Sequence, residues 1–200
     1  MMAVGVSGHR VLAERGLIEA GLGRVIGRMA AAFPGEWTVV CSLAEGADRL
    51  VTWRLLARGG SRLVAVLPLR RMDYEGDFAG AASRREFRDL LGRAAAVVEV
   101  AAQPRRDKAY EAAGRAVLDR SDVLIAVWDG REAQGLGGTG GVVAEARRRE
   151  LPVAWIGAGN RRPETLEPVS LGAWQGTVSF ERFPAVPGAA GASPGGGLVR

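Results

Sequence analysis

Short runs of apolar, mostly β-branched residues alternate along this chain with longer amphipathic segments. Strands that are apolar along their whole length are typical of a sheet covered by helices on both faces. Their alternation with helical segments is typical of repeated βα units, which build a parallel sheet. The predicted strands are residues 3–6, 37–42, 62–67, 96–100, 123–128 and 153–156, with a short edge strand expected at 178–180.

The segments between these strands carry apolar residues at helical spacing. In the first segment the apolar stripe precedes the helix-ending pair Pro34-Gly35 and consists of Ile18, Leu22, Val25, Met29 and Phe33. The sequence therefore predicts an α/β fold: a three-layer Rossmann-like open sheet, mostly parallel, of about six or seven strands with helices on both faces.

Capping residues predict where several helices begin. Ser83-Arg84-Arg85-Glu86 matches a capping box, and the stripe expected behind it is Phe87, Leu90, Leu91 and Ala94. Asp107 is expected to cap the helix that carries Tyr110, and a further helix is expected to begin near Thr139.

The size of the chain fits one domain. Two hundred residues, 48% of them apolar, can bury a sizeable core but are few for two domains. We expect a single domain over residues 1–184 and a disordered tail over 185–200, where glycine, alanine and proline lack periodicity. No apolar run reaches the roughly 20 residues that span a bilayer, and no signal peptide is visible. With Cys41 as the only cysteine, the sequence predicts a cytoplasmic protein without an internal disulfide or membrane partner.

The chain is basic, with a formal net charge of +5 and a pI near 10.5, as many nucleic-acid-binding proteins are. Arginine supplies this charge, with Lys108 the only lysine, and acidic residues are interspersed with the arginines. The basic clusters lie in different segments, at 70–71, 84–85, 105–106, 147–149 and 161–162. This distribution favours a solvated, arginine-rich surface over a nucleic-acid-binding track.

Candidate site residues follow the first strand. In an open parallel sheet, ligands bind beyond the carboxyl ends of the strands, where the strand order reverses. The sequence Gly5-Val6-Ser7-Gly8-His9-Arg10 has small residues that let a ligand approach the backbone. N–H groups at the start of the next helix can hold an anion, and Ser7, His9 and Arg10 can add side-chain contacts. Ordinary βα geometry and a capping role for the single histidine are the simpler interpretations.

The second strand is followed by Ser42-Leu43-Ala44-Glu45-Gly46-Ala47-Asp48, where small residues again lead into a helix. Glu45 and Gly46 are candidate ligand-binding residues. Asp48 falls early in the predicted helix, where the helix dipole stabilises a carboxylate, so a helix cap is the simpler interpretation of it.

The densest glycine cluster follows the fifth strand. After Trp128-Asp129-Gly130, five glycines occur in Gly135-Leu136-Gly137-Gly138-Thr139-Gly140-Gly141, which opens a helix. Backbone N–H groups without side chains in the way make a good phosphate cradle. No Gly-Lys-Ser/Thr follows, so this is not a P-loop, and no Gly-x-Gly-x-x-Gly follows the first strand, which disfavours an ordinary dinucleotide site.

The loop after the third strand, residues 68–78, is long and polar. A loop of this size often closes over a ligand. The alternative is a mobile surface loop.

In their order and spacing these loops resemble the superfamily that joins the DNA-processing protein A domain to the Lonely Guy phosphoribohydrolases (SLOG). Residues 42–48 are similar to the DNA-processing protein's Ser-Gly-x-Ala-x-Gly-x-Asp, and residues 5–10, 122–130 and 137–143 also fit. Pro68, the Tyr74–Phe78 patch and Tyr110 resemble the small stand-alone members, which are proposed nucleotide sensors. The resemblance implies a Rossmann-like sheet that binds nucleotides or their derivatives, and a homodimer.

The chain departs from the Lonely Guy pattern, Pro-Gly-Gly-x-Gly-Thr-x-x-Glu with an upstream Arg-Lys pair. Leu136 replaces the proline and Gly141 the threonine. Ala144 stands at the glutamate position, with Glu145 one residue late, which turns its side chain by roughly 100°. Arg115 is the nearest candidate for the upstream pair.

The first hypothesis is therefore a sensor module that binds a phosphate-bearing nucleotide or nucleotide-derived ligand, without a cofactor or a metal. The expected ligand-binding residues are Ser7, Gly8, His9, Arg10, Glu45, Gly46, Asp129, Gly137, Gly138, Thr139 and Gly140. Glu45 or Asp129 would bond a ribose hydroxyl.

Two other functions remain as alternatives. A hydrolase of the N-glycosidic bond of a nucleoside monophosphate would use Glu145 or Asp129 to stabilise an oxocarbenium-like centre and Arg10 or Arg115 to hold the phosphate. Single-stranded DNA binding is less favoured, because the basic pairs are scattered along the chain.

Overall fold

The computed structural model describes residues 1–133 and 135–185, so the predicted disorder falls almost wholly outside the described residues. One sheet holds seven strands, each close to its predicted position. They are β1 (Met2–Gly8), β2 (Trp37–Cys41), β3 (Ser61–Leu67), β4 (Ala94–Glu99), β5 (Val123–Trp128), β6 (Val153–Gly157) and β7 (Val178–Glu181). The short edge strand predicted at 178–180 is confirmed as part of β7.

Helices cover both faces of the sheet, as predicted. They are α1 (Arg15–Ala32), α2 (Ala47–Ala57), α3 (Arg71–Glu75), α4 (Gly80–Gly92), α5 (Arg106–Leu118) and α6 (Thr139–Arg148). Val4 and Val6 of β1 belong to the core cluster that α1, α2 and α4 cover. The intervening Gly5 points to the other face, where a Cβ would touch Ser121 and Val117 at the end of α5.

The strand order is β4-β3-β2-β1-β5-β6-β7. All neighbouring strands pair in parallel except β7, which is antiparallel to β6. From β1 the chain proceeds outward on one side to β4 and then returns to the other side of β1 to form β5. The strand order therefore reverses between β1 and β5, and the loops that follow these two strands meet at the carboxyl edge of the sheet. The predicted three-layer Rossmann-like fold is confirmed.

The predicted capping box at residues 83–86 is wrong, because α4 begins one turn earlier, at Gly80. The Ser83 hydroxyl donates to Glu45 and accepts from Arg49 Nη1 at 2.9 Å. Glu86 also accepts from Arg49 Nη1, at 3.2 Å. Both polar side chains thus connect α4 to α2 and its preceding loop instead of capping a helix end.

Two smaller expectations are also wrong. Ala94 does not extend the apolar stripe of α4, because it is the first residue of β4. Asp107 is not the cap of α5, since the helix already begins at Arg106. Its carboxylate instead accepts from the Lys108 N–H at 2.8 Å and pairs with Arg105.

Residues 68–78 do not form an extended polar loop, because α3 and an aromatic cluster hold the segment against the core. Tyr74 is 0% and Phe78 1% exposed. The Tyr74 and Phe78 ring centroids lie 4.9 Å apart, and Phe78 lies at the same distance from Phe87 of α4. The prediction overlooked that the segment's aromatic side chains can be buried while its charged residues stay at the surface.

Residues 1–133 and 135–185 contain no helix with both the length and the apolar character needed to cross a membrane.

Candidate functional site

His9 and Asp129 join the two loops at the strand-order reversal. The His9 N–H donates to the Val127 carbonyl at 3.0 Å, which extends the pairing of β1 with β5. The Asp129 N–H donates to His9 Nε2 at 3.1 Å, and Asp129 Oδ1 lies 3.3 Å from the same nitrogen. Both side chains are almost fully buried. The imidazole is therefore held in a fixed orientation beneath the crevice.

Burial favours the neutral form of this histidine. Burial lowers the pKa of His9 below its ordinary value of 6.5, although the charge and hydrogen-bonding capacity of Asp129 act in the opposite direction. Because Nε2 accepts the Asp129 N–H, the single proton of the neutral ring is carried by Nδ1. The lowered pKa makes His9 a poor source of positive charge for a phosphate, so an anion at the crevice needs other groups to bind it.

The first turn of α6 offers such groups. Gly138 is the N-cap residue and has no side-chain capping bond, while the Gly141 and Val142 N–H groups both donate to its carbonyl. The N–H groups of Thr139 and Gly140 precede these and have no partner within the helix. A Cβ placed on Gly138 would have no heavy atom within 4 Å, so the backbone here is open to a ligand.

Gly137 and Gly140, on either side of Gly138, have packing roles. Gly137 has φ of +78°, and a Cβ there would lie 2.6 Å from Cβ of Tyr110. At Gly140 it would lie 2.8 Å from the Arg131 carbonyl oxygen. Gly138 thus differs from both of them, because nothing in the described fold requires a glycine at that position.

Tyr110 of α5 lies where the two loops meet, and the sequence reasoning did not include it among the site residues. Arg10, from the loop after β1, places its Cζ 5.6 Å from the Tyr110 ring centroid, and Gly137 packs against the Tyr110 Cβ and backbone. The Tyr110 hydroxyl donates to Asp77, which also accepts from Arg106. Tyr110 therefore provides an oriented aromatic surface between the glycine-rich loop and Arg10.

The loop after β2 borders the same edge. The Ala47 N–H donates to the His9 carbonyl at 3.0 Å, and Glu45 accepts from the Ser83 hydroxyl. Asp48 is 5% exposed, and its Oδ2 accepts from the Ala44 N–H at 3.2 Å. The helix cap expected of Asp48 is wrong, because Gly46 is the N-cap residue without a side-chain cap bond and the Asp48 carboxyl bonds Ala44 in the preceding loop.

Burial makes Asp48 unusual among the carboxylates of the chain. It raises the pKa of Asp48 from 3.8 to about 7, against the opposing effects of the Ala44 N–H, the Cys41 thiol, Arg10 and Arg49. Near neutral pH the carboxyl can therefore either donate or accept a hydrogen bond.

Gly8 and Gly46 are required by packing between the loop after β1 and α2. A Cβ at Gly8 would lie 2.4 Å from Cβ of Ala47, and one at Gly46 would lie 2.3 Å from the Arg10 carbonyl oxygen. Gly46 also has φ of +78°, which side chains rarely adopt. These two candidate ligand-binding residues therefore position the neighbouring His9 and Arg10.

We expect Gly46→Ala to lower the free energy of unfolding by about 2–3 kcal/mol, because it combines a strained backbone with a clash against a carbonyl oxygen. Urea denaturation measures the change. Gly23→Ala is the matched control: Gly23 is exposed in α1, a Cβ there contacts nothing within 4 Å, and the variant should gain up to about 1 kcal/mol. Equal stability of the two variants would contradict the packing role of Gly46.

Two candidate catalytic residues lie away from this site. Glu145 is bonded to Arg148 and Arg149, whose side chains lower its pKa to about 2. Arg149 also pairs with Asp119, which follows the end of α5 at the amino edge of the sheet. Arg115 is 62% exposed on α5 and pairs with Glu111. The structure brings neither residue to the crevice.

The remaining candidates lie at the carboxyl edge. Ser7 lies opposite Ala126, near the end of the pairing between β1 and β5. Asp129 accepts from the Arg131 N–H at 3.1 Å besides its contact with His9. Within residues 1–133 and 135–185, no group of three or more histidine, cysteine, aspartate or glutamate side chains could hold a metal ion.

Fold and crevice together define the class of protein: a Rossmann-like α/β domain with an open carboxyl edge between β1 and β5. The structure of DNA processing protein A from Streptococcus pneumoniae shares this fold, with a TM-score of 0.53 and 18% identity, covering 76% of this chain and 49% of that one. The chain thus spans about half the length of that protein. The predicted resemblance to the fold of DNA-processing protein A is confirmed.

A second solved structure, TM1055, is similar at a TM-score of 0.47 and 20% identity, covering 76% of this chain and 72% of that one. That score is too low to support an argument. No family model and no curated protein matches the chain.

Proposed function

We propose that this protein binds a phosphate-bearing nucleotide or nucleotide-derived ligand at the carboxyl edge between β1 and β5, as a sensor module. The observation that carries the proposal is Gly138: an open glycine at the N-terminus of α6, beside the strand-order reversal. Backbone N–H groups at such a helix start favour an anion through both hydrogen bonds and the helix dipole.

Side chains around this helix start complete the proposed site. Arg10 supplies positive charge beside the Tyr110 ring. His9 and Asp129 line the crevice between the loops. Glu45 and Asp129 are the carboxylates that can accept from ribose hydroxyls. The phosphate would lie at Gly138, Thr139 and Gly140, and the sugar would extend toward β1.

A thermal-shift screen tests the proposal. The purified protein is mixed with nucleoside mono-, di- and triphosphates, cyclic mono- and dinucleotides, ADP-ribose and ribose 5-phosphate, and each mixture is analysed by chromatography for released base. We expect at least one phosphate-bearing compound to raise the melting temperature without being consumed, because ligands that bind only the native state stabilise it. If no compound in the panel raises it, the proposal fails.

The same screen decides between the sensor and its alternatives. Released base would favour a hydrolase, for which Asp129 is the candidate left in the crevice. DNA processing protein A is named for its action on DNA, so a single-stranded oligonucleotide belongs in the panel. An oligonucleotide bound through phosphate charges would lose affinity steeply as salt increases.

A further inference from the structure

A buried hydroxyl without a partner lies beside the proposed site. Tyr74 is 0% exposed, and its Oη has no hydrogen-bond partner among the described residues. Burial raises the pKa of Tyr74 well above its ordinary value, so the hydroxyl keeps its proton. Buried hydroxyls in native proteins are almost always paired, and an orphaned one indicates a missing water or ligand atom.

Polar groups from three other elements surround this hydroxyl. Asp48 raises and Arg10 lowers the pKa of this hydroxyl, and the Tyr74 and Tyr110 ring centroids are 6.1 Å apart. The Asp48 carboxyl accepts from the Ala44 N–H through Oδ2, and the Cys41 thiol also bonds this carboxyl. An unpaired donor, the Tyr74 hydroxyl, and a buried carboxyl, that of Asp48, therefore accompany the ring of Tyr110 and the guanidinium of Arg10.

The position of this pair relative to the phosphate cradle follows from the strand order. The α6 N-terminus follows β5, Asp48 follows β2 and Tyr74 follows β3, in the order β3-β2-β1-β5. Neighbouring strands are about 4.8 Å apart, so the pair lies roughly 10–14 Å from the cradle along the carboxyl edge. This span is comparable to the distance between the phosphate and the base edge of a nucleoside monophosphate.

We propose that Tyr74 and Asp48 are the specificity-determining residues of the site and that they bond the edge of the ligand's nucleobase, with the base against Tyr110 and Arg10. This inference rests on the proposed function and deepens it by naming the part of the ligand that is discriminated. A site built to bond a polar edge rejects analogues that lack it, because its own buried groups are then left unpaired.

The experiment compares ribose 5-phosphate, which has no base, with the four common nucleoside 5′-monophosphates by titration calorimetry. Wild-type protein should bind one nucleotide at least about 10-fold more tightly than ribose 5-phosphate. One or two hydrogen bonds between the base and buried groups give an affinity gain of this size. Tyr74→Phe, which removes only the orphaned hydroxyl, should reduce this preference to about threefold or less, while ribose 5-phosphate affinity changes less than twofold.

Asp48→Asn provides an independent variant, because it keeps the shape of the side chain and exchanges an acceptor oxygen for an N–H₂ donor. It should change the ranking of the four bases. If Tyr74→Phe keeps the full preference, or if it weakens nucleotide and ribose 5-phosphate equally, the hydroxyl is bonded to water or is structural and the inference is overturned. An unchanged base ranking in Asp48→Asn also overturns it.

The two proposals fail differently in this experiment. If wild-type protein binds neither ribose 5-phosphate nor any nucleotide, both the phosphate cradle and the base-binding role of Tyr74 and Asp48 are contradicted. If it binds all five compounds equally well, the result supports the phosphate cradle and contradicts only the base-binding role of Tyr74 and Asp48. Thermal denaturation of both variants shows that they are folded before they are titrated.

Discussion

Gly138→Leu should lower the affinity for phosphate-bearing ligands at least about 100-fold. The added side chain would fill open space at the start of α6, where the phosphate is proposed to bind the Thr139 and Gly140 N–H groups. Losing two charge-assisted hydrogen bonds costs about 3 kcal/mol or more, which corresponds to this factor. The fold should be unaffected, because a Cβ at Gly138 has no heavy atom within 4 Å. Titration calorimetry with the compound found by screening measures the loss.

Gly135→Leu is the matched control for this variant. Gly135 lies in the same loop, is exposed, and its Cβ would also have no heavy atom within 4 Å. It precedes the helix start and contributes no N–H group to the first turn of α6. We expect its affinity to stay within about twofold of wild type. If the two leucine variants bind equally well, the phosphate does not lie at the α6 N-terminus.

Asp48→Asn should change how the stability of the protein depends on pH. Because burial raises the pKa of Asp48 from 3.8 to about 7, the folded state holds this proton more tightly than the unfolded state does. Ionisation of Asp48 therefore destabilises the folded state. The loss of stability grows as pH rises from about 4 to about 7 and is complete above that. Between about pH 4 and about pH 8 the free energy of unfolding of the wild-type protein should fall on the order of 4 kcal/mol further than that of the variant.

Urea denaturation of both proteins across this pH range measures the difference. The ionisable groups that face Asp48 are Cys41, Tyr74, Arg10 and Arg49, and all four are retained in the variant, so the difference isolates the carboxyl. If the free energy of unfolding depends on pH in the same way for both proteins, Asp48 ionises as it does in water and the proposed effect of burial on its pKa is contradicted.

The strands and helices could be predicted because their patterns are local. Near-continuous apolar runs such as residues 123–128 indicate a strand buried on both faces, and the structure contains β5 at those residues. The strand order itself was not predicted; the expectation of an open parallel sheet implied only that the loops after its strands meet at the carboxyl edge. The carboxyl edge with His9, Arg10, Asp129 and Gly138 could therefore be predicted as a set of neighbouring loops.

What the sequence missed depends on tertiary contacts. Ser83 and Glu86 match a capping box, but they bond Glu45 and Arg49 because α4 begins earlier than the pattern predicts. Tyr110 is one aromatic residue in a helical stripe, and only the fold brings it against Arg10 and Gly137. Such contacts between distant segments have no signature in residue spacing.

Asp48 and Tyr74 show the same limit for the site. Each has an ordinary interpretation in the sequence, as a helix-start carboxylate and as a residue of a polar loop. Their burial side by side depends on α3 packing against α2 and α4, which the loop's composition does not indicate. A raised carboxyl pKa and an unpaired hydroxyl become visible only once that packing is known.

The most direct test of the phosphate cradle is an NMR titration of ¹⁵N-labelled protein with ribose 5-phosphate, following every assigned backbone amide. We expect the largest shifts at Gly138, Thr139 and Gly140 and smaller ones at His9 and Arg10, because the phosphate bonds the N–H groups that begin α6. Shifts confined to other surfaces, with these amides unchanged at saturation, would contradict it.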